Sequence, residues 1–234
     1  MKGLITFFIL IFCILLEAGE SKESVFQLWD RFEKSLRDEL ISPKEAYRQF
    51  NVIREMLYIT FKDIYFEGFR DWIFPVEGYD LYSSTGPGGF KPGGYDFYDA
   101  KKRDSHPALD LFVIDKNRDS LDDKTLQPFS IVAPVDMVIL SVCTVWTENS
   151  HLRGGKYIWA YNPPENLLLY FAHFDKIIVF PSQVIRKGER IGFLGRTGKN
   201  AFSPRSDTHL HFMILDISKD KVCPVNPWYK LKRK

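Results

Sequence analysis

The residues whose side chains are best suited to carry out chemistry form a short segment near the carboxyl end, Thr208-His209-Leu210-His211-Phe212. In a strand, side chains alternate between faces, so His209 and His211 point the same way while Leu210 packs behind them. Only five histidines occur in the 234 residues, so a pair separated by one leucine indicates a shared role. Two imidazoles that are joined by a distant histidine and aspartate can build a zinc site with an open position. The segment therefore predicts a hydrolytic metalloenzyme.

The earlier segment His106-Pro107-Ala108-Leu109-Asp110 supplies the remaining types of ligand. A hydrolytic zinc site needs three protein ligands and a fourth position for water, whose pKa the metal lowers to about 7. His106, Asp110 and His211 form a suitable set of two imidazoles and one carboxylate, with Zn²⁺ as the expected cofactor. Ligand histidines usually give their second ring nitrogen to a carboxylate or carbonyl. Three aspartates lie near enough in sequence to serve, and the sequence does not choose among them: Asp104, Asp115 and Asp207.

Two further histidines, His173 and His209, are left without a ligand role. Peptide hydrolysis needs a general base for the attacking water and a group that stabilises the oxyanion. His209 shares a strand face with His211, and His173 follows the strand expected at residues 168–172, so both suit a catalytic role beside the metal. Each pattern also has a structural explanation, because a lone His-x-His is often a pair of surface histidines and a single histidine is often a hydrogen-bonded structural residue. His151 is expected in an exposed loop.

The composition describes an ordinary globular protein with room for one large domain, or for one domain and a helical appendage. Apolar residues make up 45% of the chain and charged residues 26%, which is enough for a packed core. The formal net charge of +2 carries no nucleic-acid signature, so we expect no nucleic-acid partner.

The amino terminus predicts export. Lys2 precedes an apolar run over residues 3–16, which is shorter than the roughly 20 residues of a transmembrane helix. These features and the small residues that follow are typical of a secretory signal peptide, which we place at residues 1–19. We expect the mature protein in the periplasm or cell envelope, or secreted, without a stable membrane span. Export leaves Cys143 and Cys223 as a pair that forms either one disulfide or two buried thiols.

We predict that residues 20–70 form a helical N-terminal region, in the form of two antiparallel helices. Apolar residues at three-four spacing mark one stripe on each helix, and we assign both stripes to packing. The stripes contain Val25, Leu28, Trp29, Phe32, Leu36 and Leu40 in the first helix, and Ala46, Phe50, Ile53, Met56, Leu57 and Phe61 in the second. Ser42-Pro43-Lys44-Glu45 predicts the second helix start, with Ser42 as N-cap and Glu45 at the capping-box position.

We predict that residues 71–234 form a β-rich zinc peptidase domain. Its loop 84–94 is rich in glycine and proline, and its place just ahead of His106 favours the rim of a cleft. Five later runs are rich in β-branched and aromatic residues and are separated by turn residues. These runs are 109–114, 137–145, 157–161, 167–172 and 209–215. The predicted fold class is α+β, with a mainly antiparallel β domain after an N-terminal helical hairpin.

Between about residues 104 and 215, the chain resembles the lysostaphin/LytM-type zinc metallopeptidases. Six blocks stand in the order of that family and together are highly specific. They are His106-Pro-Ala-Leu-Asp110, Ala133-Pro-Val-Asp-Met-Val-Ile139, Tyr170-Phe-Ala-His173, Val184-Ile-Arg-Lys-Gly-Glu-Arg-Ile-Gly192, Gly195-Arg-Thr-Gly198 and Thr208-His-Leu-His-Phe212.

The resemblance implies zinc bound by His106, Asp110 and His211, with His173 and His209 as catalytic histidines. It also implies an antiparallel β-sheet groove and peptidoglycan peptide bonds as the substrate. A regulatory protein partner is compatible with it. This sequence departs from the family pattern without losing a ligand or a base. The departures are Ala108 and Asp136, where glycine is frequent, and Met213, where an acidic residue is common.

Two other classes compete with an exported zinc endopeptidase. The block 184–192 also resembles lipoyl and biotinyl carrier domains, but the modifiable lysine hairpin of those domains is missing. The stronger rival is a non-catalytic relative that binds cell-wall peptides or activates an amidase. Such relatives usually lack one or more ligands, whereas all five positions are filled here. Arg205, in the loop after Gly198, is expected either to pair with Asp207 or to meet a substrate carboxylate.

Overall fold

The computed structural model describes residues 23–66, 71–102, 105–202 and 206–232. Two helices, α1 (Val25–Arg37) and α2 (Pro43–Phe61), precede a nine-stranded sheet, and a short helix, α3 (Pro227–Leu231), follows it. The strands are β1 (Ala108–Phe112), β2 (Ser130–Val132), β3 (Met137–Cys143), β4 (Lys156–Asn162), β5 (Leu167–Ile177), β6 (Val184–Ile185), β7 (Arg190–Leu194), β8 (His209–Asp216) and β9 (Cys223–Val225). The predicted α+β fold class is confirmed.

The hairpin forms because each helix has an apolar face and a side-chain cap. Ser24 and Gln27 make a reciprocal capping box at the start of α1. Ser42 accepts a hydrogen bond from the Glu45 backbone N–H at the start of α2, as predicted, while the Glu45 carboxylate contacts Arg48 and Gln49. The predicted packing role of Leu40 is wrong, since α1 ends at Arg37 and Leu40 is 74% exposed.

The sheet brings distant parts of the chain side by side. Its strands are ordered β1-β8-β5-β4-β3-β6, while β7 pairs with β2 and β5, and β9 pairs with β8. The ladders between the described strands are antiparallel. β8 lies between β1 and β5, so the segments that carry Asp110, His211 and Ala172 are direct neighbours.

The two faces of the sheet pack differently. Leu210, Phe212 and Phe171 point into one hydrophobic core, which the loops and α3 cover. Met213 and Leu168 point to the opposite face and pack in a second core with the helical hairpin. Alternation along the strands puts His209, His211 and Met213 on one face. The hairpin therefore lies on the face of the sheet that carries the histidines.

The segment 84–94 contains one 3-10 turn, Pro87–Gly89, and directly follows another, Leu81–Ser83, so it is largely loop. Cys143 and Cys223 are free thiols, one half-buried and one exposed, so they are neither a disulfide nor two buried hydrophobes.

The signal peptide expected at residues 1–19 lies outside the described residues. None of the helices that the structure describes has the length and apolar content that a membrane crossing requires.

Candidate active site

Three ligand-type atoms converge on the hairpin-bearing face of the sheet. Asp110 on β1 is the direct cross-strand partner of His211 on β8, and His106 lies two residues before β1, in a bridge with Lys91. Asp110 Oδ1 is 3.0 Å from His211 Nδ1 and 3.2 Å from His106 Nε2. The two imidazole nitrogens are 3.3 Å apart. Within the described ranges, these side chains form a group able to hold a metal ion.

The arrangement fits zinc in both distance and chemistry. Tetrahedral zinc with ligand bonds near 2.0–2.1 Å places its ligand atoms about 3.3–3.4 Å apart, close to the separations seen here. His106 Nδ1 donates a hydrogen bond to the Gly89 carbonyl at 2.9 Å, so the neutral ring turns the lone pair of Nε2 toward Asp110. A lone pair facing a carboxylate oxygen is unfavourable unless a proton or a cation lies between them.

The electrostatics of this group favour the ionised, metal-binding form of the carboxylate. Burial alone raises the pKa of Asp110, but the contacts with His106 and His211 outweigh it and hold that pKa well below its ordinary value. The same carboxylate raises the pKa of His106. Asp110 is therefore ionised at neutral pH, as a metal-binding carboxylate must be.

His173 reaches the site through a β-bulge. Along β5, Tyr170 and Ala172 face the site, so simple alternation would send His173 into the opposite core. His173 instead has a φ of 72° and no partner in β4, where Lys156 pairs with Phe174 and Tyr157 with Ala172. The extra residue reverses the direction of its side chain, and the His173 and His209 ring centroids are 4.9 Å apart. Strained non-glycine backbone of this kind concentrates at functional sites.

Backbone carbonyls orient both remaining histidines. His173 Nδ1 donates to the Thr197 carbonyl at 2.8 Å, and His209 Nδ1 donates to the Asp207 carbonyl at 2.7 Å. Because a carbonyl oxygen only accepts, each Nδ1 carries the proton and each Nε2 keeps a lone pair. His209 Nε2 lies 3.7 Å from Asp110 Oδ1, at the edge of the ligand group.

The aspartates proposed as histidine partners have other roles. The acceptors for His106, His173 and His209 are carbonyl oxygens of Gly89, Thr197 and Asp207. The Asp115 carboxylate instead accepts from Thr208 Oγ1 at 2.6 Å, and the Asp207 carboxylate pairs with Arg118. Asp104 and Arg205 lie outside the described residues. Backbone acceptors leave no mark in side-chain spacing, so they could not be predicted from the sequence.

Burial tunes the two flanking histidines as bases. His173 is 2% exposed, and burial together with the neighbouring His209 and His211 lowers its pKa well below the ordinary value. Burial also lowers the pKa of His209, although Asp110 opposes the shift. Both rings are therefore neutral near pH 7, the form in which a histidine accepts a proton.

Arg196 links the two carbonyl acceptors, a role that the sequence did not reveal. Its Nη1 donates to Thr208 Oγ1 at 2.7 Å, and its Nη2 donates to the Ser206 carbonyl at 2.6 Å. These contacts flank Asp207, whose carbonyl orients His209. The next residue, Thr197, supplies the carbonyl that orients His173. One buried guanidinium thus fixes the relative positions of the groups that hold both rings.

An open cavity of about 220 Å³ lies over His106, His173 and His211, with Arg153 and Asn200 among its lining residues. No described residue of α1 or α2 lines it. The segment 84–94 contacts His106 through the Gly89 carbonyl, but none of its residues lines this cavity. His151 is exposed and lies outside this lining, as predicted.

One face of the sheet thus carries a His-Asp-His group that could hold a metal ion, with two further histidines beside it. Residues 123–227 match the model of peptidase family M23. This match confirms the predicted resemblance to the lysostaphin/LytM-type metallopeptidases. The matched region contains His173, His209 and His211 but begins after Asp110, so the sheet pairing joins His106 and Asp110 to it. No curated protein sequence matches the chain.

Solved structures of peptidases are similar to parts of the chain. The solution structure of lysostaphin is 22% identical, covers 49% of this chain and 38% of its own, and has a TM-score of 0.35. The catalytic domain of lysostaphin from Staphylococcus simulans is 21% identical over 55% of this chain and 80% of its own, with a TM-score of 0.40. A zinc containing peptidase from Vibrio cholerae is 20% identical over 72% of this chain and 41% of its own, with a TM-score of 0.42. The chain thus spans about 40% of the length of the first and third of these proteins.

Proposed function

We propose that the protein is an exported zinc metalloendopeptidase that hydrolyses peptide cross-links of bacterial peptidoglycan. The observation that carries the proposal is the convergence of His106, Asp110 and His211 within 3.3 Å of one another, beside two neutral histidines. Zinc held there would supply Lewis-acid chemistry, because it lowers the pKa of water and polarises a carbonyl.

The side chains of the protein have separate tasks in this proposal. His106, Asp110 and His211 hold the ion and leave one side open to the cavity. His209 Nε2 accepts the proton of the attacking water, since its lone pair lies nearest to the ligand group. His209 then returns this proton to the leaving amine. His173, which lines the open cavity 6.0 Å from His211 between ring centroids, would serve as the second proton acceptor beside the ion.

A non-catalytic relative that binds cell-wall peptides or activates an amidase is the alternative. The filled ligand positions and the lowered pKa values of His173 and His209 favour an enzyme, because a binding protein has no need of buried neutral bases. The boundary at residue 71, with a helical region before it and a β-rich peptidase domain after it, is part of the same proposal. Export rests on the signal-peptide pattern of residues 1–19 alone.

The test combines metal content with product analysis. The purified mature protein is expected to contain one zinc and to release stem peptides from purified sacculi, with masses that identify the cleaved bond. A folded protein that binds no zinc at neutral pH would overturn the enzyme. A zinc-loaded protein that binds sacculi and releases no peptide would instead support the non-catalytic alternative.

A further inference from the structure

The cavity over the ligand group has positively charged side chains on its wall. Arg153 and Lys102 both line it, and none of the described residues of this lining is an aspartate or a glutamate. Lys102 pairs with Asp96 at 3.0 Å, so its charge is compensated within the protein. A bound molecule that carries a negative charge would therefore meet Arg153 on this wall.

The guanidinium of Arg153 has donors available for a ligand. This residue is exposed, and its Nε donates a long hydrogen bond of 3.5 Å to Asn200 Oδ1. Within the described ranges, no carboxylate lies at ion-pair distance from the Arg153 side chain. Nη1 and Nη2 thus remain as two neighbouring donors, a geometry that matches the two oxygens of one carboxylate.

The backbone of Arg153 is fixed relative to His173. The carbonyl of the next residue, Gly154, accepts from the His173 backbone N–H at 2.9 Å. The Arg153 carbonyl accepts from the Asn200 backbone N–H at 3.3 Å. Gly198 approaches the same carbonyl so closely that a Cβ atom there would lie 2.4 Å from its oxygen. The segment around Arg153 is therefore packed backbone against backbone on the turn 197–200.

The same turn orients the His173 ring. The Thr197 carbonyl accepts from His173 Nδ1 at 2.8 Å, and the Thr197 hydroxyl accepts from the backbone N–H of Lys156, the first residue of β4, at 2.9 Å. One turn thus holds both the histidine and the start of the arginine side chain. A side chain that starts from a fixed backbone has less freedom to lose when it binds a ligand.

We propose that Arg153 is a specificity-determining residue that binds a carboxylate of the substrate peptide, close to the bond that is cleaved. The inference rests on the proposed function and agrees with its substrate class, because the peptides of peptidoglycan carry free carboxylates. It narrows the preferred substrate to an acidic peptide. The carboxylate has two sources, a chain terminus or an acidic residue within the chain, and both offer the same pair of oxygens to the guanidinium.

Cross-linked stem peptides, released from purified sacculi by a muramidase, provide the first test. They are compared with the same peptides after conversion of their carboxylates to amides, which removes the charge and hardly changes the size. We expect kcat/KM of the unmodified protein to be about 10–100-fold higher for the acidic form. In Arg153→Gln this ratio should fall toward one. Arg153→Lys keeps the charge without the paired donors and should give an intermediate ratio.

Arg48→Gln is the matched control, since it makes the same change at an exposed position of α2 that lies outside the cavity lining. This variant should keep the ratio of the unmodified protein. Synthetic stem peptides that are amidated at the C terminus alone, or at an internal acidic residue alone, identify the source of the carboxylate. The form that loses the preference carries the bound group.

Equilibrium binding to zinc-loaded His209→Ala supplies a readout that does not depend on turnover. The acidic peptides should bind about tenfold or more tightly than the amidated ones, and the added substitution Arg153→Gln should abolish the difference. Zinc is present in both proteins, so a difference that survives this substitution belongs to the ion and overturns the inference.

Other results would also contradict a role of Arg153. The inference is overturned if the unmodified protein cleaves both forms equally, or if folded Arg153→Gln keeps the full preference. It is overturned as well if Lys102→Gln removes the preference and Arg153→Gln does not. If the zinc-loaded protein cleaves neither form, the proposed hydrolysis fails, and the binding measurement alone then upholds or overturns the inference.

Discussion

The imidazole rings of His173 and His209 lie with their centroids 4.9 Å apart and their planes at 73°, although alternation along β5 would place them on opposite faces of the sheet. The bulge at His173 accounts for this meeting. Each ring has its Nδ1 fixed by a carbonyl, which directs the lone pair of Nε2 away from the backbone. This arrangement suits the proton transfer that the proposed function assigns to the pair.

His209→Ala should separate catalysis from metal binding. We expect turnover of peptide to fall by about 10²–10⁴-fold, because a positioned general base supplies an effect of that size. Zinc content should stay near one per molecule, because His209 Nε2 is 3.7 Å from the carboxylate oxygen and outside the ligand triad. Kinetics and metal analysis on one sample measure both. Loss of zinc would show that His209 is a ligand.

His211→Ala should remove both metal and activity. The substitution leaves Asp110 and His106 without the third ligand, so zinc affinity should fall by several orders of magnitude. The thermal stabilisation that zinc adds to the unmodified protein should disappear with it. His151→Ala is the control, because this exposed histidine lies outside the site. Zinc titrations followed by thermal unfolding decide the matter, and an unchanged response in His211→Ala would contradict the ligand set.

On the acid side of the pH profile, the midpoint at which kcat/KM is lost should lie below the ordinary histidine pKa of about 6.5. His173 and His209 act as bases only when neutral, and burial lowers the pKa of both. Protonation, and with it the loss of kcat/KM, is therefore displaced to lower pH. A pH profile of kcat/KM measures the midpoint. A midpoint above 6.5 that moves in His173→Gln would mean that this histidine is not held neutral.

Arg196→Met should lower kcat more than it changes KM. The buried guanidinium connects Thr208 and the Ser206 carbonyl, so its loss releases the groups that orient both histidines. Outer partners of this type typically contribute about 10–100-fold to activity. The charge-assisted hydrogen bonds suggest a stability loss of about 2–3 kcal/mol. Thr208→Val, which removes one of these contacts, should give a smaller effect. An unchanged kcat in folded Arg196→Met would exclude the positioning role.

The hairpin should support the sheet rather than block the site. Phe50 on α2 is fully buried in the core that joins the hairpin to the sheet, so Phe50→Ala should cost about 3–5 kcal/mol of unfolding free energy. Val52→Ala, on the same helix but half exposed, should cost far less. Because no described hairpin residue lines the cavity over the ligands, loosening the hairpin should not raise activity. A rise in kcat/KM would instead indicate autoinhibition.

The sequence predicts the site best where the functional side chains follow the alternation of a strand. Alternation in His209-Leu210-His211 predicted two rings on one face, and the cross-strand pair of Asp110 and His211 completes that pattern. The predicted strand runs omit β2, β6 and β9, because two or three residues do not establish a period. They also omit the five-residue strand β7, in which Gly192 interrupts the run of strand-forming residues. The bulge at His173 was beyond reach for a different reason. An extra residue in a ladder depends on the neighbouring strand, which local sequence does not specify.

Some departures from the family pattern have a clear structural explanation. Met213, at a position where an acidic residue is common, packs against the hairpin in the second core, where an unpaired carboxylate would be costly. Asp136, in place of a frequent glycine, is 2% exposed and pairs with Arg186 at 2.9 Å. The first change follows from the hairpin that covers this sheet face. The second is balanced by its own ion pair.

The pairing of β1 with β8 has a consequence for the synthesis of the chain. Asp110 and His211 are 101 positions apart, yet they meet as direct partners across two strands. Under the proposed function, a growing polypeptide lacks its third zinc ligand until nearly all of the chain has been synthesised. A product that ends anywhere before β8 would therefore have neither a complete ligand group nor the activity that depends on it.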